Sequence, residues 1–435
     1  MAQAILGGKE IPQEKEKIEK YYILDSFVDE TVNELKHRKY NLSTLSSFVK
    51  GDNLKVWLKG SVFPNLLTTF KTTSYGRMLA LPNKTFLVCS VNDNKGYFII
   101  CDEMGKIIRE LTNFVSTSLR QIRVCLLGND RFMITWTNES SNLLYRIIYD
   151  LHGEVINAQA SPDSSITDTG DRNLIPLSDG GALFVTTDGN KCIFFNSKGV
   201  VTKTITPSLS THFSHYSECC ELKNGNIFIA GTNGSAFSIA IMKPDGTFVK
   251  SPTALSNSYE PQISVCTTAS GNIALLHRGT DARGTLDILD INGTVVKTTT
   301  TIFSSEPSNL EILRTLSGTL LVLETVASGG VVNACLFSAD GVKLTNTKQI
   351  TNLTGAEYYM PPVNLSDGTI IFGALLTSAN TYFSILNFTK DLEFYSLDVF
   401  NSNSINGKMI NQKLTKKGFY ELLYDGEVFF VLEEK

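Results

Sequence analysis

Hydrophobic residues along the chain occur in short runs that are separated by turn residues, and this pattern repeats. Residues 222–253 are one copy, LKNGNIFIAGTNGSAFSIAIMKPDGTFVKSPT. Apolar runs of this kind between Gly, Asn and Asp predict β-strands. The Asn-Gly and Asp-Gly pairs predict hairpin turns, because glycine readily adopts the positive φ that such turns require. The pattern therefore predicts a protein built from antiparallel β-hairpins.

Two turns recur with the same period. The turn before the second strand of each copy recurs every 45 to 50 residues, at Lys84, Asp130, Gly180, Gly225, Gly271, Gly318 and Gly368. The turn before the fourth strand recurs every 46 to 50 residues, at Gly105, Gly153, Gly199, Gly246, Gly293, Gly341 and Asp391. Four strands per repeat and a period of this length are typical of β-propeller blades. A β-solenoid, the alternative, usually has a shorter repeat of about 20–30 residues.

These repeats divide the chain into four parts. We predict an all-β protein with a seven-bladed β-propeller of four-stranded blades over residues 74–400. Residues 1–40 are predicted to be a helical attachment segment, and residues 41–73 a connector. Residues 401–435 are predicted to be a C-terminal extension that contains a β-hairpin around Asp425 and Gly426.

The N-terminal segment has a different pattern. Pro12 is acceptable at the first position of a helix, and apolar side chains then recur every three or four residues. This apolar face is predicted to bind a partner or to pack on the propeller, and it consists of Ile18, Tyr21, Leu24, Val28, Val32 and Leu35. A short oligomerising coiled coil is the alternative, although Lys17 and Thr31 stand where its seam would need apolar residues.

The cysteines support the register of the repeat. None of the eight has the spacing of a CxxC motif or a metal site, which favours a reducing compartment. Cys125, Cys220 and Cys266 each lie five residues before the first turn, where the other repeats have an apolar residue. We therefore expect them to be small buried hydrophobic residues.

Composition excludes several classes of protein. The chain has 435 residues, of which 42% are hydrophobic, and a net charge of -4. An acidic balance argues against nucleic acid as the main partner, because phosphate binding requires a basic surface. There is no apolar run long enough to span a membrane, and the N-terminus has no secretory signal pattern. Membrane insertion and secretion through a signal peptide are therefore not expected.

We find no catalytic constellation in the sequence. His212 and His215 are the only histidines close to one another, and no further ligands follow at a spacing typical of metal sites. Nucleophile-elbow, phosphate-loop and dinucleotide-binding motifs are missing. The sequence predicts no enzyme, no metal and no cofactor.

The candidate binding site is the mouth of the propeller, where the first strands of the blades converge. The positions seven and nine residues before the first turn are mostly polar or aromatic, whereas the position five before it is apolar. The candidate ligand-binding residues at these positions are Tyr75, Arg77, Arg123, Tyr216, Glu218, Glu311 and Tyr359. The alternative is a hydrated channel whose charges pair with each other. Loops 157–173 and 208–218 are further candidates for recognition.

Residues 96–114, GYFIICDEMGKIIRELTNF, and residues 236–253, AFSIAIMKPDGTFVKSPT, resemble repeats in propeller-like proteins of bacteriophage tails and phage-tail-like particles. The resemblance implies a virion component that is made in the host cytoplasm. It also implies that an N-terminal segment binds tail or baseplate proteins while the propeller faces a host-surface carbohydrate or protein. It supplies no catalytic residues.

Three functions follow from these observations. The first is a non-enzymatic structural or adhesion component of a phage tail, baseplate or tail fibre that binds a receptor during host attachment. The second is an intracellular protein-interaction scaffold, although the blades lack the Trp-Asp endings of WD40 repeats. The third is a polysaccharide-degrading enzyme. A homo-oligomer is compatible with each of them.

Overall fold

A computed structural model describes most of the repeat region and a few flanking strands. The described residues are 58–59, 70–71, 74–92, 95–101, 107–112, 114, 119–138, 143–160, 173–186, 191–207, 209, 213, 216–233, 236–256, 262–279, 283–304, 306–326, 331–352, 356–366, 368, 370–376, 380–388, 394–396, 410–415, 419–424 and 427–431. The helix expected within residues 1–40, with its apolar face, and most of the connector lie outside the described residues.

The chain divides into two compact units, which are residues 69–381 and residues 1–68 with 382–435. The second unit contains the pairing of β1 (Leu58–Lys59) with β30 (Phe394–Ser396). It also contains an antiparallel sheet of three strands, β31 (Ile410–Thr415), β32 (Phe419–Tyr424) and β33 (Glu427–Val431).

The first unit contains six four-stranded antiparallel sheets, in which each strand pairs with the next along the chain. Blade 1 is β3 (Ser74–Ala80), β4 (Phe86–Asn92), β5 (Lys95–Cys101) and β6 (Ile107–Thr112). Blade 2 is β7 (Leu119–Leu127), β8 (Arg131–Asn138), β9 (Leu144–Asp150) and β10 (Val155–Ala160). Blade 3 is β11 (Asn173–Pro176), β12 (Ala182–Val185), β13 (Cys192–Phe195) and β14 (Val201–Ile205).

The remaining three blades follow the same order. Blade 4 is β15 (Tyr216–Glu221), β16 (Ile227–Thr232), β17 (Phe237–Met242) and β18 (Phe248–Ser256). Blade 5 is β19 (Ile263–Thr267), β20 (Ile273–Arg278), β21 (Gly284–Leu289) and β22 (Val295–Thr299). Blade 6 is β23 (Asn309–Arg314), β24 (Leu320–Val326), β25 (Val331–Phe337) and β26 (Lys348–Asn352).

The first strands of the blades form the inner ring of this unit. Each contacts the first strand of the next blade, from β3 to β23. Strand β27 (Ala356–Asn364) contacts both β23 and β3 and pairs antiparallel with β28 (Ile370–Leu376). Strand β27 thus lies between the first strands of blade 6 and blade 1. In the same unit, β2 (Phe70–Lys71) pairs with the start of β29 (Asn380–Phe388).

The prediction of seven four-stranded blades is wrong, because the protein is an all-β propeller with six of them. The last repeat differs in two respects. It is divided between the two compact units at residues 381 and 382. In addition, the sequence has Asp391 where blades 2 to 6 have a glycine with φ of 71° to 93°. A side chain disfavours that conformation, so the sequence of the last repeat favours this turn less than the sequences of the others do. The described residues also contain no helix.

The hydrophobic core consists of clusters that neighbouring blades share. Between blades 1 and 2, the rings of Phe98 and Phe132 meet edge to face at 5.9 Å, and Phe132 stacks on Tyr149 at 5.4 Å. Similar clusters lie between each later pair of blades, up to blades 5 and 6. Each blade is therefore stabilised mainly by the faces that it buries against its neighbours.

All eight cysteines are free. Cys125 is buried, whereas Cys220 and Cys266 are partly exposed at the inner ring. Burial raises the pKa of Cys266 to about 12 and also raises the pKa of Cys220. These thiols therefore behave as packing residues and not as nucleophiles.

Candidate functional site

The candidate residues all lie on first strands of the larger unit. Tyr75 and Arg77 are on β3, and Arg123 is on β7. Tyr216 and Glu218 are on β15, Glu311 is on β23, and Tyr359 is on β27. The structure thus brings these seven backbone positions to the inner ring. Their role in binding stays a prediction, and the side chains of Tyr75, Tyr216 and Tyr359 lie outside what the structure describes.

The two arginines have the same local contact. Nη1 of Arg77 donates a hydrogen bond to the carbonyl oxygen of Gly76 at 3.1 Å. Nη1 of Arg123 donates to the carbonyl oxygen of Ile122 at 2.9 Å. Arg123 is 8% exposed, whereas Arg77 is partly exposed. Both side chains are therefore fixed at the inner ring by their own backbone.

The carboxylate of Glu311 lies in a polar network. Its Oε1 accepts a hydrogen bond from Nδ2 of Asn309 at 3.1 Å, and its Oε2 accepts one from Oγ of Ser264 at 3.4 Å. Burial raises the pKa of this carboxyl, while the Asn309 contact, the charge of Arg77 and the Ser264 contact act in the opposite direction. Glu311 consequently holds its proton to a higher pH than an ordinary glutamic acid does.

Several polar residues of the inner ring connect blades. Nδ2 of Asn173 donates to the carbonyl oxygen of Ser217 in the next blade. Nε2 of Gln262 likewise donates to the carbonyl oxygen of Ser308 at 3.3 Å. Part of the polar register that the sequence revealed thus holds neighbouring blades together. Glu311 connects blades as well, because it accepts a hydrogen bond from Ser264 of blade 5.

Sequence reasoning missed a buried polar cluster in blade 5. Nε2 of His277 lies 3.1 Å from Oδ2 of Asp287, whose Oδ1 accepts a hydrogen bond from the hydroxyl of Thr298. Nδ1 of His277 lies 3.2 Å from the carbonyl oxygen of Arg278, and its ring stacks on Phe237 at 5.0 Å. Because both ring nitrogens already face an oxygen atom, His277 is poorly placed to accept a proton from a substrate.

The sequence did contain a signal for this cluster. Asp287 occupies a position on the third strand where the first three blades have isoleucine, at Ile99, Ile147 and Ile193. An acidic residue in a buried apolar register requires a partner, because an isolated buried charge is costly. His277, on the neighbouring strand, is that partner.

The described part of the chain contains no group of three or more His, Cys, Asp or Glu side chains that could hold a metal ion. Among the same residues there is no helix long and apolar enough to cross a membrane.

Comparison with known proteins identifies a fold class. No protein-family model matches the chain, and no curated protein matches it either. Among solved structures, a streptogramin B lyase is similar over 73% of this chain and 97% of its own, with 12% identity and a TM-score of 0.52. A catalytically inactive virginiamycin B lyase from Staphylococcus aureus, in complex with quinupristin, is similar over 73% and 98%, with 10% identity and a TM-score of 0.50.

Similarities at such low identity concern the fold alone. With the six four-stranded sheets and the inner ring, they define the chain as a β-propeller protein, so the repeat fold predicted from the sequence is confirmed. The lyase activity in the names of these two structures is stated of those proteins only.

Proposed function

We propose that the protein is a non-enzymatic binding propeller, and that its ligand contacts the mouth formed by the first strands. The observation that carries this proposal is the set of charged side chains on four of those strands. Arg77, Arg123, Glu218 and Glu311 recur at one position of the repeat, on blades 1, 2, 4 and 6. A ligand at the mouth can contact several blades at once, which favours recognition there.

The chemistry of the mouth supports binding more than catalysis. Its described polar groups are guanidinium, carboxylate, amide and hydroxyl groups. They form hydrogen bonds with neighbouring backbone and side-chain atoms. Such groups hydrogen-bond sugars and peptides. The tyrosines predicted at the same mouth would add stacking surface.

We further propose that the ligand is a carbohydrate or protein on a host cell and that the protein is part of a phage tail or a phage-tail-like particle. The resemblance of the blade repeats supports this, and so does the amphipathic pattern of residues 12–39, which would bind other tail or baseplate proteins. The first proposal, a binding mouth, does not depend on the second.

The test is binding of the purified protein to intact cells from a panel of bacterial strains. The wild type is expected to bind at least one strain, and the double variant Tyr216→Ala/Tyr359→Ala is expected to lose about thirtyfold or more in affinity. Ile108→Ala is the control, because Ile108 is 59% exposed on the outer strand of blade 1. Equal binding by wild type and double variant, with both folded, would contradict a ligand site at the mouth.

A further inference from the structure

Arg146 on β9 is a partly buried arginine without a carboxylate partner. Its Nε atom is buried, and its guanidinium forms no hydrogen bond or ion pair with any of the described residues. The guanidinium lies 6.0 Å from the centre of the Phe195 ring in blade 3, at the limit of a cation–π contact. The charge of Arg146 therefore lies in the contact between blades 2 and 3, where burial lowers its pKa.

Two buried threonine hydroxyls lie on the same face of blade 2. Thr135 is directly opposite Arg146 in the pairing of β8 with β9, and Thr137 is two residues further along β8. Side chains alternate along a strand, so both threonines point to blade 3, as Met133 does. Both are 1% exposed, and neither hydroxyl has a hydrogen-bond partner among the described residues.

The pair of Thr135 and Arg146 is peculiar to blade 2. At the same place in the five other blades, a residue of the second strand faces one of the third, and both are buried and either apolar or cysteine. These pairs are Cys89 with Phe98, Val185 with Cys192, Ala230 with Ile239, Leu276 with Leu286, and Leu323 with Ala334. The fold itself therefore requires no polar group here.

The three side chains have the chemistry of an anion site. A guanidinium is always charged and has five N–H donors, and each hydroxyl can donate one hydrogen bond. A charge that is taken out of water is costly unless an opposite charge accompanies it. Because Nε of Arg146 and both hydroxyl oxygens are closed to solvent, an ion that contacts them must be small. A buried water molecule could satisfy the hydroxyls, but it would not balance the charge.

We propose that Arg146, Thr135 and Thr137 hold a small inorganic anion of the halide class between blades 2 and 3. This inference does not depend on the proposed function, because the site lies between two sheets and not at the mouth. The anion accepts hydrogen bonds from the guanidinium and the hydroxyls. Since the unfolded chain does not bring these groups together, chloride should bind the folded state and stabilise it.

The position of the ion is tested by crystallography of the wild type in bromide, which replaces chloride and scatters anomalously. An anomalous peak is expected beside Arg146 and Thr135, on the side of blade 3. Absence of a peak there would overturn the proposal. A water molecule in its place, without anomalous signal, would show that the polar groups are satisfied by water alone.

The effect of the ion is tested by thermal unfolding in sodium chloride that is exchanged for sodium gluconate at constant ionic strength. The midpoint of the wild type is expected to rise with chloride. Arg146→Leu introduces the residue of blade 5, Leu286, and is expected to lose this dependence. Arg131→Gln is the control and should keep it, since Arg131 pairs with Asp130 in a turn.

Thr135→Val is a second variant for the case that Arg146→Leu does not fold. It introduces the residue of blade 3, Val185, and removes only the hydroxyl. A hydrogen bond to a charged group is lost, so the apparent affinity for chloride is expected to fall about tenfold or more. A purely structural role of Arg146 predicts lower midpoints with the chloride dependence of the wild type. That result in both variants would overturn the proposal, and it would leave the proposed function, which is measured on intact cells, unaffected.

Discussion

Nζ of Lys250 on the outer strand of blade 4 donates a hydrogen bond to the carbonyl oxygen of Gly293 in blade 5, at 3.0 Å. The same kind of contact recurs around the rim. Lys203 reaches the carbonyl oxygen of Pro244 at 2.9 Å, and Arg109 pairs with Glu154 at 2.9 Å. Outer strands are thus joined to the turn of the next blade, in addition to the apolar clusters between the sheets.

The turn glycines offer a direct test of this packing. Gly293 and Gly225 both have positive φ, 74° and 79°. A Cβ at Gly293 would lie 3.0 Å from Cδ of Lys250 and 3.1 Å from Cδ1 of Ile241, whereas a Cβ at Gly225 meets nothing within 4 Å. We expect Gly225→Ala to cost about 1–2 kcal/mol from the backbone alone, and Gly293→Ala to cost about 1–3 kcal/mol more.

Urea denaturation of both variants measures the difference. Gly225→Ala is the matched control, since it shares the backbone conformation but not the crowding. Equal loss of unfolding free energy in the two variants would show that Lys250 and Ile241 make room for the added methyl group without cost, contrary to the expected crowding.

The buried pair His277 and Asp287 should behave as a unit. Asp287→Ile introduces the residue of blades 1 to 3 and leaves His277 without its carboxylate, which we expect to cost about 1–3 kcal/mol. His277→Ser introduces the residue of blade 1, Ser90, and should cost a similar amount. The double variant His277→Ser/Asp287→Ile should lose clearly less unfolding free energy than the sum of the two losses, because neither the imidazole nor the carboxylate is then left without the other. Additive losses would mean that the two side chains do not interact.

Glu311 should make the free energy of unfolding depend on pH, and the direction of this dependence follows from its raised pKa. Burial raises its folded-state pKa above that of the unfolded chain, so its ionised form opposes folding at neutral pH. This cost disappears as the pH falls through the folded pKa toward the unfolded one. Wild type is therefore expected to gain stability relative to Glu311→Gln between pH 7 and pH 4, as measured by thermal unfolding.

Asp245 is the control, because its pKa is shifted in the opposite direction. Hydrogen bonds from Thr247 lower the pKa of its carboxyl, so its stabilising effect is present at neutral pH and is lost as the pH falls. Relative to Asp245→Asn, wild type should lose stability over the same range. A Glu311→Gln curve that follows the Asp245→Asn curve would contradict the assignment.

Removal of residues 1–40 tests the attachment role that the sequence predicts for them. The truncated protein is expected to retain cooperative unfolding and ligand binding, because the six blades begin at Ser74. It is expected to be absent from particles that incorporate the full chain, as measured by co-sedimentation. Loss of cooperative unfolding would instead assign the segment to the folded core.

The turn chemistry made much of the fold predictable. Gly225 and Gly293 were located by spacing alone, and both have the positive φ that the pattern required. The spacing located the residue with positive φ less accurately where the turn has a different form. In blade 2 the positive φ belongs to Gly128, two residues before Asp130, which the repeat had placed in that role.

The number of blades could not be read from the turns. A repeat unit shows where strands begin and end, but the partners of the last strands depend on contacts between distant residues. The strands of the last repeat are divided between two compact units, and only Asp391, in place of a glycine, marked that repeat as different.

The candidate site was predictable in position but not in detail. The register placed Arg77 and Arg123 on inner strands, because polar residues stood out at a fixed distance from the turn. The pairing of β3 with β4 and of β7 with β8 shifts register just before Arg77 and Arg123, and such β-bulges depend on the partner strand as well as on the strand itself. Gly76 was the one local sign, since a glycine inside a strand often marks a bulge or a close approach. A Cβ there would overlap the side chain of Met360.

Hydrogen–deuterium exchange of the protein, with and without surface material from a strain that it binds, locates the ligand. We expect the ligand to slow exchange in the first strands, at 74–80 and 119–127, and to leave the outer strands 248–256 and 295–299 unchanged. Protection confined to the outer strands, or to the turns at Gly225 and Gly293, would contradict binding at the mouth.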